Sequence, residues 1–198
     1  MKYPLTGVIL AGGLNTRFFG KNKAFFRVGG IKLLDRVYGV FQDLFEEIIL
    51  VTNDPIQYLE WDLKIVADLF PFRSSLTGIH TGLFYINTPF AFFAGCDTPF
   101  LKREIVETII NGIEPLIDVV IPATSAGLEP LCAVYSKECI KPIERHIKQQ
   151  KVKIQRAIKN VRIKKIPESV LRDKDPTLIS FFNINTQDDL VLAESMIQ

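Results

Sequence analysis

The stretch after Thr6–Leu10 reads Ala11-Gly12-Gly13-Leu14-Asn15-Thr16-Arg17-Phe18-Phe19-Gly20-Lys21-Asn22-Lys23. Paired glycines thus lead into a loop that carries an arginine and two lysines. Glycines let the backbone approach a ligand closely, and successive amides can cradle phosphate oxygens. Arg17 offers a bidentate fork to a phosphate, and Lys23 a point charge. The segment is not a P-loop: Gly13 to Gly20 is too long, and Asn22 follows Lys21 where Ser or Thr would hold Mg²⁺. Nor does it have the three fixed glycines of a dinucleotide fingerprint. Standing alone, it reads equally as a flexible turn with solvated charges.

Three further segments carry chemistry. In Gly95-Cys96-Asp97-Thr98-Pro99-Phe100 an apolar run delivers Asp97 at its end, where a carboxylate can hold Mg²⁺ together with phosphate oxygens. The competing role for Asp97 is a helix cap, and Arg103 lies too far along for a tight one. Cys96 reads as a small buried residue and not a nucleophile. Asn53 and Asp68 each follow a strand-like run. An aspartate accepts from the N1–H and exocyclic amine of guanine, adjacent donors that adenine and cytosine lack; the plainer role for both is a loop or cap. In Phe181-Phe182-Asn183-Ile184-Asn185-Thr186 two asparagines at alternate positions of a strand would project to one face. Asparagine is depleted in strands, so the pair suggests a ligand or a fixed network, with capping of the last helix as the alternative.

The elements that must position these residues follow from apolar periodicity. Strands are expected at Thr6–Leu10, Glu47–Thr52, Lys64–Ala67, Phe90–Gly95, Asp118–Pro122, Leu131–Ser136 and Phe181–Ile184. Helical patterns fall at Ile31–Phe45, Ser75–Ile86, Arg103–Ile113, Glu138–Gln149 and Gln187–Ile197. In the first of these Leu33, Leu34, Val37, Phe41, Leu44 and Phe45 share a face. Thr186 and Asp189 form a capping-box pattern before the last. The early strands are apolar throughout instead of alternating, as expected when both faces are covered. Alternation of strand and helix implies an α/β fold, a single doubly wound and mostly parallel sheet with helices on both faces. Ligands of such sheets bind beyond the carboxyl ends of the strands, which is where all four segments lie. No repeat or linker divides the 198 residues, so one domain over 1–198 is expected.

Composition removes several classes. Three scattered cysteines cannot build a disulfide framework or a Cys-x-x-Cys zinc site, and two histidines cannot build a multi-histidine metal site. No apolar run reaches the ~18 residues of a membrane span. The N-terminal apolar run opens into Gly12-Gly13 and Arg17, unlike a signal peptide, so a cytoplasmic protein without membrane contact is expected. Residues 141–174 hold twelve Lys/Arg against Glu144, Glu168 and Asp173, a local charge of +9 beside −7 for the remainder. This stretch reads as a solvated basic face that could meet anionic ligands. Few aromatics interleave its charges, which argues against nucleic acid as a partner.

Taken in order, these segments resemble the molybdenum cofactor guanylyltransferase family, within the nucleotidyltransferases of glycosyltransferase-A-like fold. The family pattern reads Leu-Ala-Gly-Gly-x-x-x-Arg-Met-Gly-x-x-Lys, then an Asp before Gly-Pro-Leu-Ala-Gly, Cys-Asp-x-Pro, Glu-Pro-Leu-x-Ala-x-Tyr and Asn-x-Asn-Thr. Here these stand as Leu10–Lys23, Asp68 with Ser74–Gly78, Cys96–Pro99, Glu129–Tyr135 and Asn183–Thr186. The resemblance spans nearly the whole chain.

It implies that Leu10, Ala11, Gly12, Gly13, Lys23, Asn53, Asp68 and Asp97 bind GTP, with Asp97 also the Mg²⁺ ligand. Gly78, Asn183 and Asn185 would face the pterin. Arg17, Lys23 and Asp97 would be catalytic, as GMP passes from GTP to the phosphate of molybdopterin. Cofactor-carrier or molybdoenzyme partners are further expected contacts. A phosphate nucleophile is already anionic at neutral pH, so no general base is needed, which suits the shortage of histidines. Two departures are visible: Phe18-Phe19 replaces Met-Gly, and Ser74-Ser75 replaces Gly-Pro before Leu76. Both bear on loop geometry, and neither removes a charge that the chemistry needs. A cytidylyl or sugar-phosphate transferase of the same fold, a GTP-binding adaptor without catalysis, and an inactive relative are the alternatives.

Overall fold

A computed structural model describes residues 2–12 and 22–197. Gly13, Arg17, Phe18 and Phe19 from the glycine-rich segment lie outside the described residues.

Strand β1 (Tyr3–Leu10) is followed by a short hairpin, β2 (Arg27–Val28) and β3 (Ile31–Lys32), then α1 (Leu33–Leu44), β4 (Phe45–Val51) and β5 (Lys64–Val66). Next come α2 (Ser75–Tyr85), β6 (Phe90–Gly95), α3 (Arg103–Ile110), β7 (Val119–Thr124), β8 (Gly127–Leu128) and β9 (Cys132–Ser136). The chain continues through α4 (Ile140–Lys148), α5 (Ile154–Ala157), β10 (Ile163–Pro167), α6 (Glu168–Arg172) and α7 (Gln187–Ser195). The main sheet runs β10-β7-β9-β6-β1-β4-β5, with β8 paired to β7. β4, β1, β6 and β5 are mutually parallel, as are β7 and β10, whereas β9 runs antiparallel to both β6 and β7. The carboxyl ends of β1, β4, β5, β6 and β7 therefore share one edge.

Both faces of the central strands β1, β6, β7 and β9 are dry, which is why these read as apolar runs. On β1, β4 and β6 successive residues feed opposite cores. Ile9, Leu50 and Phe92 pack with Leu34, Phe41, Ile105 and Ile109 of α1 and α3. Val8, Ile49 and Phe93 pack with Leu76, Ile79, Ile143 and Ile147 of α2 and α4. All six residues expected on one face of the first helix are fully buried.

Several local features differ from the periodicity, among them the short elements β8, α5 and α6, which no pattern announces. The strand expected at Phe181–Ile184 is absent. A 3-10 turn covers Ile179–Phe181, and the Asn183 side chain donates to the Phe181 carbonyl (2.8 Å), competing with ladder pairing. β10 escaped notice because Ile-Lys-Lys-Ile-Pro carries the charges and proline of an edge strand. The β2–β3 hairpin turns on Gly29 and Gly30, both at positive φ (60° and 77°), the signature of a tight two-residue turn. The last helix begins as expected: Thr186 accepts from the Asp189 amide, and Asp189 accepts from Thr186 in return.

Candidate active site

The carboxyl ends of β1, β4, β5 and β6 converge on a cleft of about 250 Å³. Leu10, Ala11, Gly12, Lys23, Asp68, Gly78 and Asp97, all expected site residues, line it together. Asn53 joins them through its bonds to Asp68. Arg73, Ser74 and Leu131 line the cleft as well, and the motif reading did not assign them a role. Arg73 immediately precedes a helix cap, and that position is the only signal that could have drawn it out.

The backbone at β1's end is fixed on two sides. The Ala11 amide donates to the Val51 carbonyl (2.9 Å), and the Cys96 amide to the Leu10 carbonyl (3.0 Å). Asn22 pins the returning loop: its side chain donates to Tyr58 Oη (2.8 Å) and Gln57 Oε1 (3.1 Å), and accepts from the Ala24 amide. Tyr58 in turn donates to the Ala11 carbonyl (3.4 Å). Burial pushes the Tyr58 phenol up to about 12, so it stays a neutral donor.

Lys23, so anchored, forms an ion pair with the Asp97 carboxylate. Asp97 follows β6, and its side chain folds back over Gly95, where a Cβ would collide with the carboxylate. Thr98 donates to the Gly95 carbonyl (2.8 Å) and fixes that turn. Both partners of the pair are largely shielded, with side chains 19% and 13% exposed, so neither charge is freely solvated. Burial lifts the neighbouring Cys96 thiol to about 12, which leaves it no nucleophile at neutral pH.

Asn53 and Asp68 form a reciprocal pair. The Asn53 amide group donates to Asp68 Oδ2 (2.7 Å), and the Asp68 backbone amide donates to Asn53 Oδ1 (3.3 Å). Gly12 lies beside them: a Cβ there would be 3.6 Å from Asn53 Nδ2. Asp68 Oδ1 is buried without a partner among the described residues. Burial raises the Asp68 carboxyl above its usual range, against the opposing effects of Asn53, Thr81 and Arg73. An orphaned buried acceptor costs about 1–3 kcal/mol, and a ligand offering adjacent N–H donors would remove that cost.

Opposite, α2 begins at the cleft wall. The Ser74 side chain accepts from the Thr77 amide (3.1 Å) and Thr77 Oγ1 accepts from the Ser74 amide (3.0 Å), a complete capping box. The serines that replace Gly-Pro thus build a regular helix start, whose positive end suits phosphate oxygens. Gly78, one turn in, packs against Leu10, and a Cβ there would come within 3.1 Å of Leu10 Cδ2.

Asn183 and Asn185 do not line the cleft but flank Ile184, whose amide donates to the Asp97 carbonyl (3.0 Å). The C-terminal segment is thereby tied to the residue after β6. Among the described residues no cluster of three or more His, Cys, Asp or Glu could hold a metal. A divalent cation at Asp97 would need phosphate oxygens to complete its shell, which fits Mg²⁺ habits. No described helix is long and apolar enough to cross a membrane. The arrangement can hold a phosphorylated ligand against Lys23 and Asp97 with a base edge at Asp68.

Comparison with known proteins identifies the family and the fold. Residues 7–165 match the family described as MobA-like NTP transferase domain. The chain is 46% identical to the molybdenum cofactor guanylyltransferase of Desulfosudis oleivorans, covering 98% of this chain and 96% of that protein. The crystal structure of molybdopterin-guanine dinucleotide biosynthesis protein A from Archaeoglobus fulgidus superimposes with a TM-score of 0.86 at 30% identity, over 98% of each chain. A 4-diphosphocytidyl-2C-methyl-D-erythritol synthase from Anaerococcus prevotii shares the fold at 19% identity and a TM-score of 0.70, over 100% of this chain and 96% of that one.

Proposed function

The chain belongs to the molybdenum cofactor guanylyltransferase family, and from that premise we propose that it transfers GMP from GTP to the phosphate of molybdenum-molybdopterin. The products are the guanine dinucleotide form of the cofactor and pyrophosphate. The whole of 1–198 is read as one transferase domain working in the cytoplasm. The observation that carries the guanylyl reading is Asp68, whose buried Oδ1 has no partner within hydrogen-bond reach among the described residues while Oδ2 is oriented by Asn53.

In this mechanism Leu10, Ala11 and Gly12 present backbone to the nucleotide, continued by Gly13. Asn53 orients Asp68, and Asp68 accepts from N1–H and the exocyclic amine of guanine. The acceptor's terminal phosphate attacks the α-phosphorus in line. A new P–O bond forms, the bond from the α-phosphorus to the bridging oxygen breaks, and the electron pair leaves with pyrophosphate. Lys23 donates to phosphate oxygens as charge builds on the leaving group, and Arg17 is assigned the same task. Asp97 is the residue that would hold Mg²⁺, which when bound neutralises charge shared by the attacking and leaving groups. The attacking phosphate is already anionic, so catalysis is positioning and electrostatics, without a general base. Asn183 and Asn185, on either side of the Ile184–Asp97 bond, are our candidates for the pterin side, with Gly78 across the cleft.

Pyrophosphate release measured with each of the four NTPs, with and without molybdopterin, tests the reading. Release only with GTP and only when molybdopterin is present is expected. Equal turnover with CTP, or none with any NTP, would overturn it.

A further inference from the structure

A second recess opens at the carboxyl end of β7, on the same edge of the sheet as the nucleotide cleft. It has a volume of about 520 Å³ and lies between the β7–β8 turn and the segment around Thr177–Phe182. Its size is that of a small-molecule pocket. Leu178, Ile179, Phe181, Phe182 and Met196 make its walls largely apolar, and among the described residues Glu129 is the only ionisable side chain in its lining.

Both walls are braced. On one side Glu168 accepts from the Ser125 amide, the Glu129 amide donates to the Pro122 carbonyl (3.1 Å), and the Cys132 amide donates to the Glu129 carbonyl (3.1 Å). On the other, fully buried Asp175 accepts from the Ser180 amide and Lys102 Nζ, both at 2.8 Å. Leu178 sits in the left-handed region at φ 55°.

Two chain connections join this pocket to the cleft. Glu129 lines the pocket and Leu131, two residues on, lines the cleft. Phe182 lines the pocket and Ile184, two residues on, holds the Asp97 carbonyl. A ligand spanning both would place its phosphate at Lys23 and Asp97, since a lone carboxylate among aromatic walls repels anions. The ring system left for the pocket must be flat, largely apolar on its faces, and equipped with donors for one carboxylate.

We propose that this pocket holds the acceptor's fused pyrimidine ring system, of the pterin class, and that Glu129 accepts from its adjacent ring N–H and amino group. The proposal rests on the transfer reading above and assigns a ring-specificity residue to it. The 2-amino-4-oxopyrimidine edge of a pterin carries the same donor pair as guanine. The two halves of the sheet therefore read one chemical edge with one carboxylate each, Asp68 for the donor and Glu129 for the acceptor. Among the described residues, the side-chain partner of Glu129 is a long contact from Thr124 Oγ1 (3.5 Å). Burial raises its carboxyl above the usual range, as expected of a group whose donors arrive with a ligand.

The test uses fluorescence titration of 6-hydroxymethylpterin against 6-hydroxymethyllumazine, which has an oxo group in place of the 2-amino group. The full chain should bind the pterin about tenfold more tightly, the scale of one lost buried partner. Glu129→Gln should weaken pterin binding about tenfold and erase that preference, while Met196→Trp, which fills the pocket from its α7 end, should block both ligands and leave GTP binding unchanged. In transfer assays both variants should raise the acceptor KM and spare kcat and the KM for GTP. Equal binding of pterin and lumazine by the parent, or an unchanged preference in Glu129→Gln, would overturn the proposal. Transfer that proceeds with an unchanged acceptor KM in both variants would overturn the pocket and leave the transfer reading standing. Pterin binding with the edge preference but no transfer by the parent would uphold the pocket and overturn the transfer reading.

Discussion

At the β1–β6 end of the carboxyl edge the recess is about 250 Å³ and walled by Lys23, Asp68, Arg73 and Asp97. At the β7 end it is about 520 Å³ and walled mainly by Leu178, Ile179, Phe181 and Phe182. The first is built from strand ends, a helix start and the 3-10 turn that carries Lys23. The second is built from loops, and it is held by a buried aspartate instead of by a sheet. Charge is concentrated where phosphates must be aligned for attack. Shape and apolar area are concentrated where a ring has only to be recognised. The difference separates chemistry from recognition along one edge, and substitutions can separate them too.

The largest effect is expected at Asp97. Asp97→Ala removes the proposed metal ligand and leaves the Lys23 ammonium without its partner. GMP transfer should fall by at least about 10³-fold, the scale of losing a transition-state electrostatic contact. Binding of 6-hydroxymethylpterin at the β7 end should be unaltered. Near-parental turnover, followed by pyrophosphate release, would show that the charged end does not carry the chemistry.

Next comes Asp175, which anchors the loops of the apolar end. Its carboxyl lies below the ordinary range: burial works against this, but Lys102 and the Ser180 amide outweigh it. Asp175→Ala leaves those donors unpaired and should cost about 2–4 kcal/mol in urea unfolding. If a GTP-bound sample of this variant keeps its cleft but loses pterin binding, the two ends are energetically separable. A loss below about 0.5 kcal/mol would contradict the anchoring role.

Most of the sheet was legible because its central strands are dry on both faces and its helices amphipathic. The residues of the charged end were legible too, since Gly12, Asp68 and Asp97 lie where strands stop. What escaped was held by contacts remote in sequence. Arg73 reaches the cleft only because α2 starts there. The Asn183–Asn185 segment looked like a strand, yet it is stapled by a single bond to Asp97 and by asparagine closing on its own backbone. The apolar pocket joins residues near 124–129 to others near 177–182 and Met196, a pairing that no local pattern announces.

A third substitution sharpens the contrast by changing recognition inside the charged end. In Asp68→Asn one oxygen becomes a donor and faces the guanine donors. Discrimination between GTP and ITP, which lacks the exocyclic amine, should shrink by about 10- to 100-fold, matching 1–3 kcal/mol. The acceptor KM should not move. Equal discrimination in parent and variant would remove base reading from Asp68.

The smallest effect concerns His80, which lies beneath the charged end. Both its ring nitrogens are buried without a partner among the described residues, and its ring meets the edge of Phe70, two residues beyond Asp68. Burial lowers its pKa below 6.5, with Lys148 of α4 acting the same way and Glu144 of α4 opposing. The folded state therefore prefers neutral His80, and the unfolded chain binds a proton more readily. Stability from this residue is complete above the unfolded value and is lost as pH falls through about 6.5 toward the folded value. Asp68 and Glu129, whose carboxyls are raised by burial, run the other way, gaining stability as they protonate at lower pH. Asp118 and Asp175, held low, lose stability only in more acidic solution. Comparing the parent with His80→Leu at each pH isolates the histidine. Between about pH 7.5 and pH 5.5 the parent should lose on the order of 1 kcal/mol relative to the variant in urea unfolding. Parallel pH profiles for the two proteins would mean that His80 takes up its proton alike in the folded and unfolded chains, and that burial under Phe70 does not hold its ring neutral.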